Sequence, residues 1–287
     1  MDYKIKDDII LIREFFKLTQ DELAYELNVD KITISRTESG ITYPREEFMD
    51  KFYSYCFLKG LMINIQKEML FKDDVQRDHL LLTHASKSGI EGEISHLKAR
   101  SNNDFGQGFY CGENYDSAIS FVFRFPKSCV YFIEFDPSEL KHLKYDVNTD
   151  WMLTIAYFRG RLDKYNDSLI VKELVKRLEG IDYIIAPIAD NRMFQIIDSF
   201  IDGEITDIQC EHCLSATNLG MQYVLLTDRA ISKIKVLEKC FISSKEKEYY
   251  QKNHVEIQKI GNDKTKIARI EYRDKGKYIG EILSWER

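Results

Sequence analysis

The stretch Asn103-Asp104-Phe105-Gly106-Gln107-Gly108-Phe109-Tyr110-Cys111 has the residue types of a ligand-facing loop. Two glycines without a Cβ would let backbone pass close to a ligand, and Phe109-Tyr110 would set a flat aromatic surface beside it. The same glycines would also suit a simple β-turn. Cys210-Glu211-His212-Cys213 has the spacing of half a metal site. A tetrahedral zinc site needs a second ligand pair, and the sequence offers no other Cys-x-x-Cys or matching His/Cys pair, so a packed turn in a helical context is expected and no metal. No phosphate loop, no G-x-G-x-x-G and no Ser/His/Asp arrangement is present.

These residues need elements to hold them. Residues 1 to about 58 read as short helices with tight connections. A helix from about Gly60 to Arg77, with apolar Leu61, Met62, Ile65, Met69 and Leu70, reads as a connector. From Leu80 short β-like runs appear, at Leu80–Thr83, Cys129–Ile133, Tyr183–Ile185 and Tyr223–Leu226. Helix-like stretches at Asp116–Arg124, Ser168–Leu178 and Met193–Ile201 lie between them, which predicts an α+β region. On the helix at Asp116–Arg124, Ala118 and Phe121 should share a side. The tail from Phe241 is polar and ends in a strand-like Tyr278–Leu283.

The chain has 287 residues, 44% of them hydrophobic and 13% aromatic, ample for packed cores and incompatible with global disorder. Its net charge of −6 excludes a protein that coats nucleic acid non-specifically, which needs a large positive surface. The charge is uneven: residues 1–60 carry nine basic against twelve acidic side chains, whereas the tail from 241 carries eleven against eight. Charge across Met1–Asp8 argues against a signal peptide, and no run of 18 apolar residues offers a membrane span. Six scattered cysteines fit reduced, buried thiols, so a cytoplasmic protein without membrane partners is expected.

Thr19 and Glu22 have the spacing of a capping box, with Leu23, Ala24 and Leu27 on one helix face behind them. Asn28-Val29-Asp30 breaks this helix, Asp30 can cap a second one over Lys31–Glu38, and Ile34 should face inward. Thr19, Gln20, Glu22, Leu23, Ala24, Ile34, Ser35, Glu38, Gly40 and Pro44 match the pattern of the phage-repressor-like helix-turn-helix family, which residues 8–60 resemble. The resemblance implies that Lys31, Ile32, Thr33 and Arg36 face base edges in a major groove and Gln20 faces phosphate. It also leaves open that so acidic a module docks a protein, or forms a homodimer, instead of binding a DNA operator.

Four further segments stand in order: Leu82-Thr83-His84-Ala85-Ser86, Asn103–Tyr110, Ala189-Asp190-Asn191, and Leu219-Gly220-Met221-Gln222 leading into Tyr223-Val224-Leu225. In these the chain resembles the ADP-ribosyltransferase superfamily, most closely a bacterial family described only as a domain of unknown function. The resemblance implies an NAD substrate and no metal. It would have His84 hydrogen-bond a ribose hydroxyl, and the Ala85 backbone, beside Thr83, pair with the nicotinamide amide. Tyr110 would stack on nicotinamide, with Phe121 as the opposite wall and Gly108 in the binding loop. The last motif position, commonly glutamate, is Gln222, so Asp190 is the candidate for the missing carboxylate, with Asn191 beside it and Arg192 as a phosphate contact. Glutamine can hydrogen-bond but cannot act as a base near neutral pH. As structural residues these would instead be strand, core or cap positions.

The expected fold is thus an all-α helix-turn-helix domain (1–60), a helical connector (61–78), and an α+β ADP-ribosyltransferase-like split β-sandwich (79–245). A polar extension (246–287) would pack on or extend the last. The expected function is transfer of ADP-ribose from NAD to an intracellular protein or nucleic acid, in a toxin or defence effector with an antitoxin or regulatory partner. NAD hydrolysis and a catalytically silent nucleotide-sensing transcription regulator are the alternatives.

Overall fold

The computed structural model describes residues 1–216 and 220–283; the motif residue Leu219 and the last four positions lie outside the described residues. Five helices come first: α1 (Ile5–Phe16), α2 (Gln20–Leu27), α3 (Lys31–Glu38), α4 (Glu46–Leu58) and α5 (Ile63–Asp74). Strands and helices then mix, with β1 (Leu80–Ser86), β2 (Phe109–Gly112), α6 (Tyr115–Val122), β3 (Cys129–Phe135), β4 (His142–Lys144), α7 (Thr149–Phe158) and α8 (Leu169–Lys176). The series continues with β5 (Tyr183–Pro187), α9 (Asn191–Ile201), α10 (Asp207–Ser215), β6 (Met221–Leu225), α11 (Asp228–Ile231) and β7 (Ile234–Phe241). It closes with α12 (Ser244–Glu271) and α13 (Ile279–Leu283). An N-terminal helical region therefore precedes an α+β region.

Compactness divides the chain into two units built from separated segments. The first comprises Met1–Ile90, Asn114–Phe135 and Lys235–His254; the second comprises Glu91–Glu113, Asp136–Ile234 and the described residues from Val255 on.

In the first unit, the capping box forms: the Glu22 N–H donates to Thr19 Oγ1 at 3.2 Å and the Thr19 N–H to Glu22 Oε2 at 2.7 Å. Leu23, Ala24, Leu27 and Ile34 enter an apolar core with Ile5, Ile9, Ile12 and Phe52. Glu38 accepts from Arg13 at 2.5 Å and from Gln20 at 2.6 Å, tying α1 and α2 to α3. Asp30 precedes α3 with extended backbone, but its side chain makes no capping bond, contrary to expectation. On α5 the expected apolar face is also not the buried one. Met69 and Leu70 are exposed, whereas Ile63, Asn64 and Glu68 are buried. The reason is polar: Asn64 Nδ2 donates to the Tyr115 hydroxyl at 2.8 Å and the Phe241 carbonyl at 2.9 Å, and the Tyr115 N–H donates to Glu68. Lys67, on the same helix, sits between Asp8 at 2.7 Å and Glu238 at 2.5 Å.

The strands of this unit lie in the order β1-β3-β7, with β1 and β3 antiparallel. Val130 and Phe132 of β3 pack on Ala118, Ile119 and Val122 of α6.

The second unit orders its strands β4-β5-β6-β2, parallel between β4 and β5 and antiparallel elsewhere. Met193, Ile196, Ile197, Phe200 and Ile201 are buried along α9, the spacing of one face of a helix. They join Trp151, Ile155 and Ile184 in the core. The expected strand at Tyr278–Leu283 is instead helix α13. Ile279 and Leu283, one helical turn apart, are both buried in this core; residues four apart share a face in a strand and in a helix alike, so the apolar spacing did not separate the two. Cys210 and Cys213 lie on α10, buried, and burial pushes both thiols up.

Candidate functional site

Within the second unit, three of the four motif segments converge on Gln222. Strand β2 carries the Phe109-Tyr110 end of the glycine segment and pairs with β6, so that Tyr110 stands opposite Val224 and Gly112 opposite Gln222. The Gln222 side chain is buried. Its Nε2 donates to Asp104 Oδ2 at 3.3 Å and to the Pro187 carbonyl at 3.1 Å. Pro187 leads directly into Ala189-Asp190-Asn191, and the Ile188 N–H donates to the Gly220 carbonyl. The two acceptors also decide which way the amide faces. A flipped amide would set Oε1 against a carboxylate and a carbonyl, so the donor end is the one that faces Asp104 and Pro187.

Asp104 is itself held. Arg159, the residue after α7, donates to its Oδ1 from Nε at 2.9 Å and from Nη2 at 2.5 Å. The guanidinium lies over the Phe194 ring, 4.1 Å from its centroid. Neither Asp104 nor Arg159 was a predicted site residue. Asp104 stands inside the motif and was readable there, whereas nothing in the sequence near Arg159 marks it.

The aromatic pair and the glycines serve the chain's own packing. The Tyr110 hydroxyl donates to the Gly106 carbonyl at 2.8 Å and accepts from the Phe105 N–H at 3.1 Å, closing the loop on itself. Burial pushes the Tyr110 phenol well above its ordinary range. Gly106 has φ +71° and a Cβ there would come within 2.9 Å of Phe158. A Cβ on Gly108 would come within 2.6 Å of Val224. Both close approaches are to protein.

Asp190 caps α9, accepting from the Met193 N–H at 2.8 Å, and it does not reach Gln222 by any hydrogen bond found among the described residues. Asn191 begins that helix and is exposed. Arg192 donates to Thr265 Oγ1 at 3.0 Å.

The remaining motif segment lies in the first unit. Thr83 is buried and donates to the Asn114 carbonyl at 2.8 Å. His84 is half-buried opposite Tyr131, ring centroids 6.2 Å apart, and Ala85 packs on the apolar cluster of α6 and β3. Helix α6 buries Tyr115, Ala118, Ile119 and Val122 and leaves Phe121 46% exposed, so Phe121 does not share the buried side of Ala118.

Among the residues expected to read DNA, Ile32 and Arg36 are exposed and Thr33 is half-buried. Lys31 pairs with Asp21 at 2.6 Å on the surface, a contact worth little. Gln20 is turned to Glu38 rather than outward. A surface groove of about 480 Å³ beside α8, lined by Asp150, Leu169, Glu173 and Arg177 among others, holds none of the predicted site residues.

The molecule is thus a helical N-terminal region followed by an α+β region whose second unit contains a Gln222–Asp104–Arg159 network, the amide and the carboxylate buried and the guanidinium half-buried. The chain belongs to the family described as a protein of unknown function (DUF3990), whose model matches residues 80–236, just over half of the chain. That span contains all four motif segments. No curated protein matches the chain, and no solved structure does.

Proposed function

We propose that this protein is an NAD-dependent ADP-ribosyltransferase acting on an intracellular macromolecule, with a split β-sandwich catalytic region, working as a toxin or defence effector. One observation carries the proposal: Gln222, at the motif position expected to hold the nicotinamide ribose, is fixed through its amide nitrogen by Asp104 and Pro187, so that the acceptor end of the amide faces away from them. A ribose hydroxyl is a donor and suits that end. Cleavage of the bond between nicotinamide and ribose passes through an oxocarbenium-like cation, as in glycoside cleavage. A fixed polar group at the ribose aligns that cation, while aromatic walls exclude water. In this scheme Gly108, Tyr110 and Asn191, which share the second unit with Gln222, contribute NAD contacts there. Asp190 is the weaker choice for a catalytic carboxylate, because it already caps a helix.

The decisive experiment incubates the purified chain with labelled NAD and cell lysate. Label transferred to protein or nucleic acid supports transfer. Free ADP-ribose would indicate a glycohydrolase, and unchanged NAD a silent sensor.

Residues 1–60 serve in this proposal as a helix-turn-helix that binds an operator, alone or with an antitoxin, through Ile32, Thr33, Lys31 and Arg36. The exposed Arg36 and Ile32 on α3 support it. A salt-dependent shift of promoter DNA that Arg36→Ala abolishes is expected; no binding at low salt would assign the module to protein docking or dimerisation.

A further inference from the structure

Gln222 is useful to a ligand only if its amide keeps one orientation. An isolated glutamine amide turns readily, because its terminal torsion is broad and roughly two-fold. Here two acceptors face Nε2, and the stronger is Asp104 Oδ2, a carboxylate oxygen 3.3 Å away. Asp104 is 7% exposed, so an unpaired carboxylate there would be costly. Arg159 supplies the compensation, with both of its bonds directed to Oδ1. The second oxygen is thereby left for Gln222. The arginine is held in turn: Phe194 of α9 lies against its guanidinium face. The carboxylate's backbone is held by the closed loop of Gly106 and Tyr110 described above. Four separate parts of the chain therefore fix one amide.

We infer that Asp104 and Arg159 are positioning residues for Gln222: they set its acceptor end away from Asp104 and never touch the substrate themselves. This rests on the proposed NAD chemistry at Gln222. In Asp104→Asn, Arg159 keeps the side-chain oxygen and the new NH2 faces Gln222, which favours the turned amide, so that roughly nine-tenths or more of the molecules present a donor where an acceptor is needed. NAD would still bind through its other contacts, and the loss would appear in turnover.

The test compares the full-length wild type with Asp104→Asn, Arg159→Ala and Arg159→Lys, measuring kcat and KM for NAD consumption and the melting temperature of each. Arg159→Lys keeps the charge but loses the two-pronged geometry, so it is the variant to use if Arg159→Ala fails to fold. Expected are at least a tenfold fall in kcat for Asp104→Asn with KM changed less than threefold, and an intermediate fall for Arg159→Lys. A further variant supplies a signature that general destabilisation would not give. Gln222→Glu alone places two carboxylates together, whereas Asp104→Asn combined with Gln222→Glu restores a donor facing an acceptor. The double variant should therefore exceed Gln222→Glu alone in kcat. If the wild type consumes NAD and Asp104→Asn and Arg159→Lys stay within twofold of it, the positioning role is wrong and the NAD function stands. If the folded wild type neither binds nor consumes NAD, the proposed function fails and the positioning role falls with it.

Discussion

Glu246, in the first turn of α12, is 5% exposed, and its carboxyl is pushed up to about 7. Burial is the main cause. It outweighs hydrogen bonds from the Tyr115 hydroxyl at 2.9 Å and from Asn64 Nδ2 at 3.4 Å, while nearby Asp116 adds to the rise. Replacing it by glutamine removes the charge and keeps the shape. In the unfolded chain the carboxyl ionises at its ordinary 4.5, so the fold must retain a proton or bury a charge at any higher pH. The raised value means that stability associated with this group is present below pH 4.5 and is lost as pH rises to about 7, then stays constant. From 4.5 to about 7, at about 1.4 kcal/mol for each pH step, that loss is about 3 kcal/mol. Glutamine avoids it but faces its own NH2 toward the Asn64 amide nitrogen, an unmade bond costing about 1 kcal/mol. The Glu246→Gln variant should therefore be about 2 kcal/mol more stable than the wild type at pH 8, and within about 0.5 kcal/mol of it at pH 5. Urea unfolding of both proteins at the two pH values measures this, with the m value checked for constancy. An equal difference at pH 5 and pH 8 would refute the assignment, because packing or hydrogen bonding alone carries no such pH dependence.

Two other substitutions probe the packing that holds the units together internally. Lys67→Ala leaves Asp8 and Glu238 buried around a missing cation, and a loss of about 3–5 kcal/mol is expected in urea unfolding. A loss below about 1 kcal/mol would show that water or Lys4, 3.3 Å from Glu238, replaces it. Gly108→Ala drives a methyl group against the fully buried Val224 and the Leu225 carbonyl, at 2.6 and 3.3 Å. It should cost about 1–3 kcal/mol and lower Tm by several degrees; an unchanged Tm would mean that β2 and β6 can separate locally.

Local rules were legible wherever the partner lies within one turn of helix. Thr19 and Glu22 are three residues apart, and their reciprocal bonds form as the spacing predicts. Asp30 had the right type and place for a cap, yet its carboxylate does not make the bond. The glycines of the Asn103–Cys111 segment signalled close approach correctly, but not what approaches: it is Phe158 and Val224. Apolar spacing misplaced the buried face of α5, because the helix buries Asn64 and Glu68 against polar partners on α6, β7 and α12, and pairs the Lys67 ammonium with Glu238 of β7. A hydropathy pattern gives no weight to a paired charge.

The sequence by itself determined that a helical region leads into an α+β region, that the motif segments fall between residues 82 and 225, and that the last motif segment carries an amide, Gln222. These follow from periodicity, residue type and order along the chain. Tertiary structure alone decided that the amide has a fixed orientation. Asp104 and Gln222 are 118 positions apart, and Arg159 is 55 from Asp104. Hydrogen bonds act over about 3 Å of space, and only the pairing of β2 with β6 and the ending of α7 beside them bring those side chains within it.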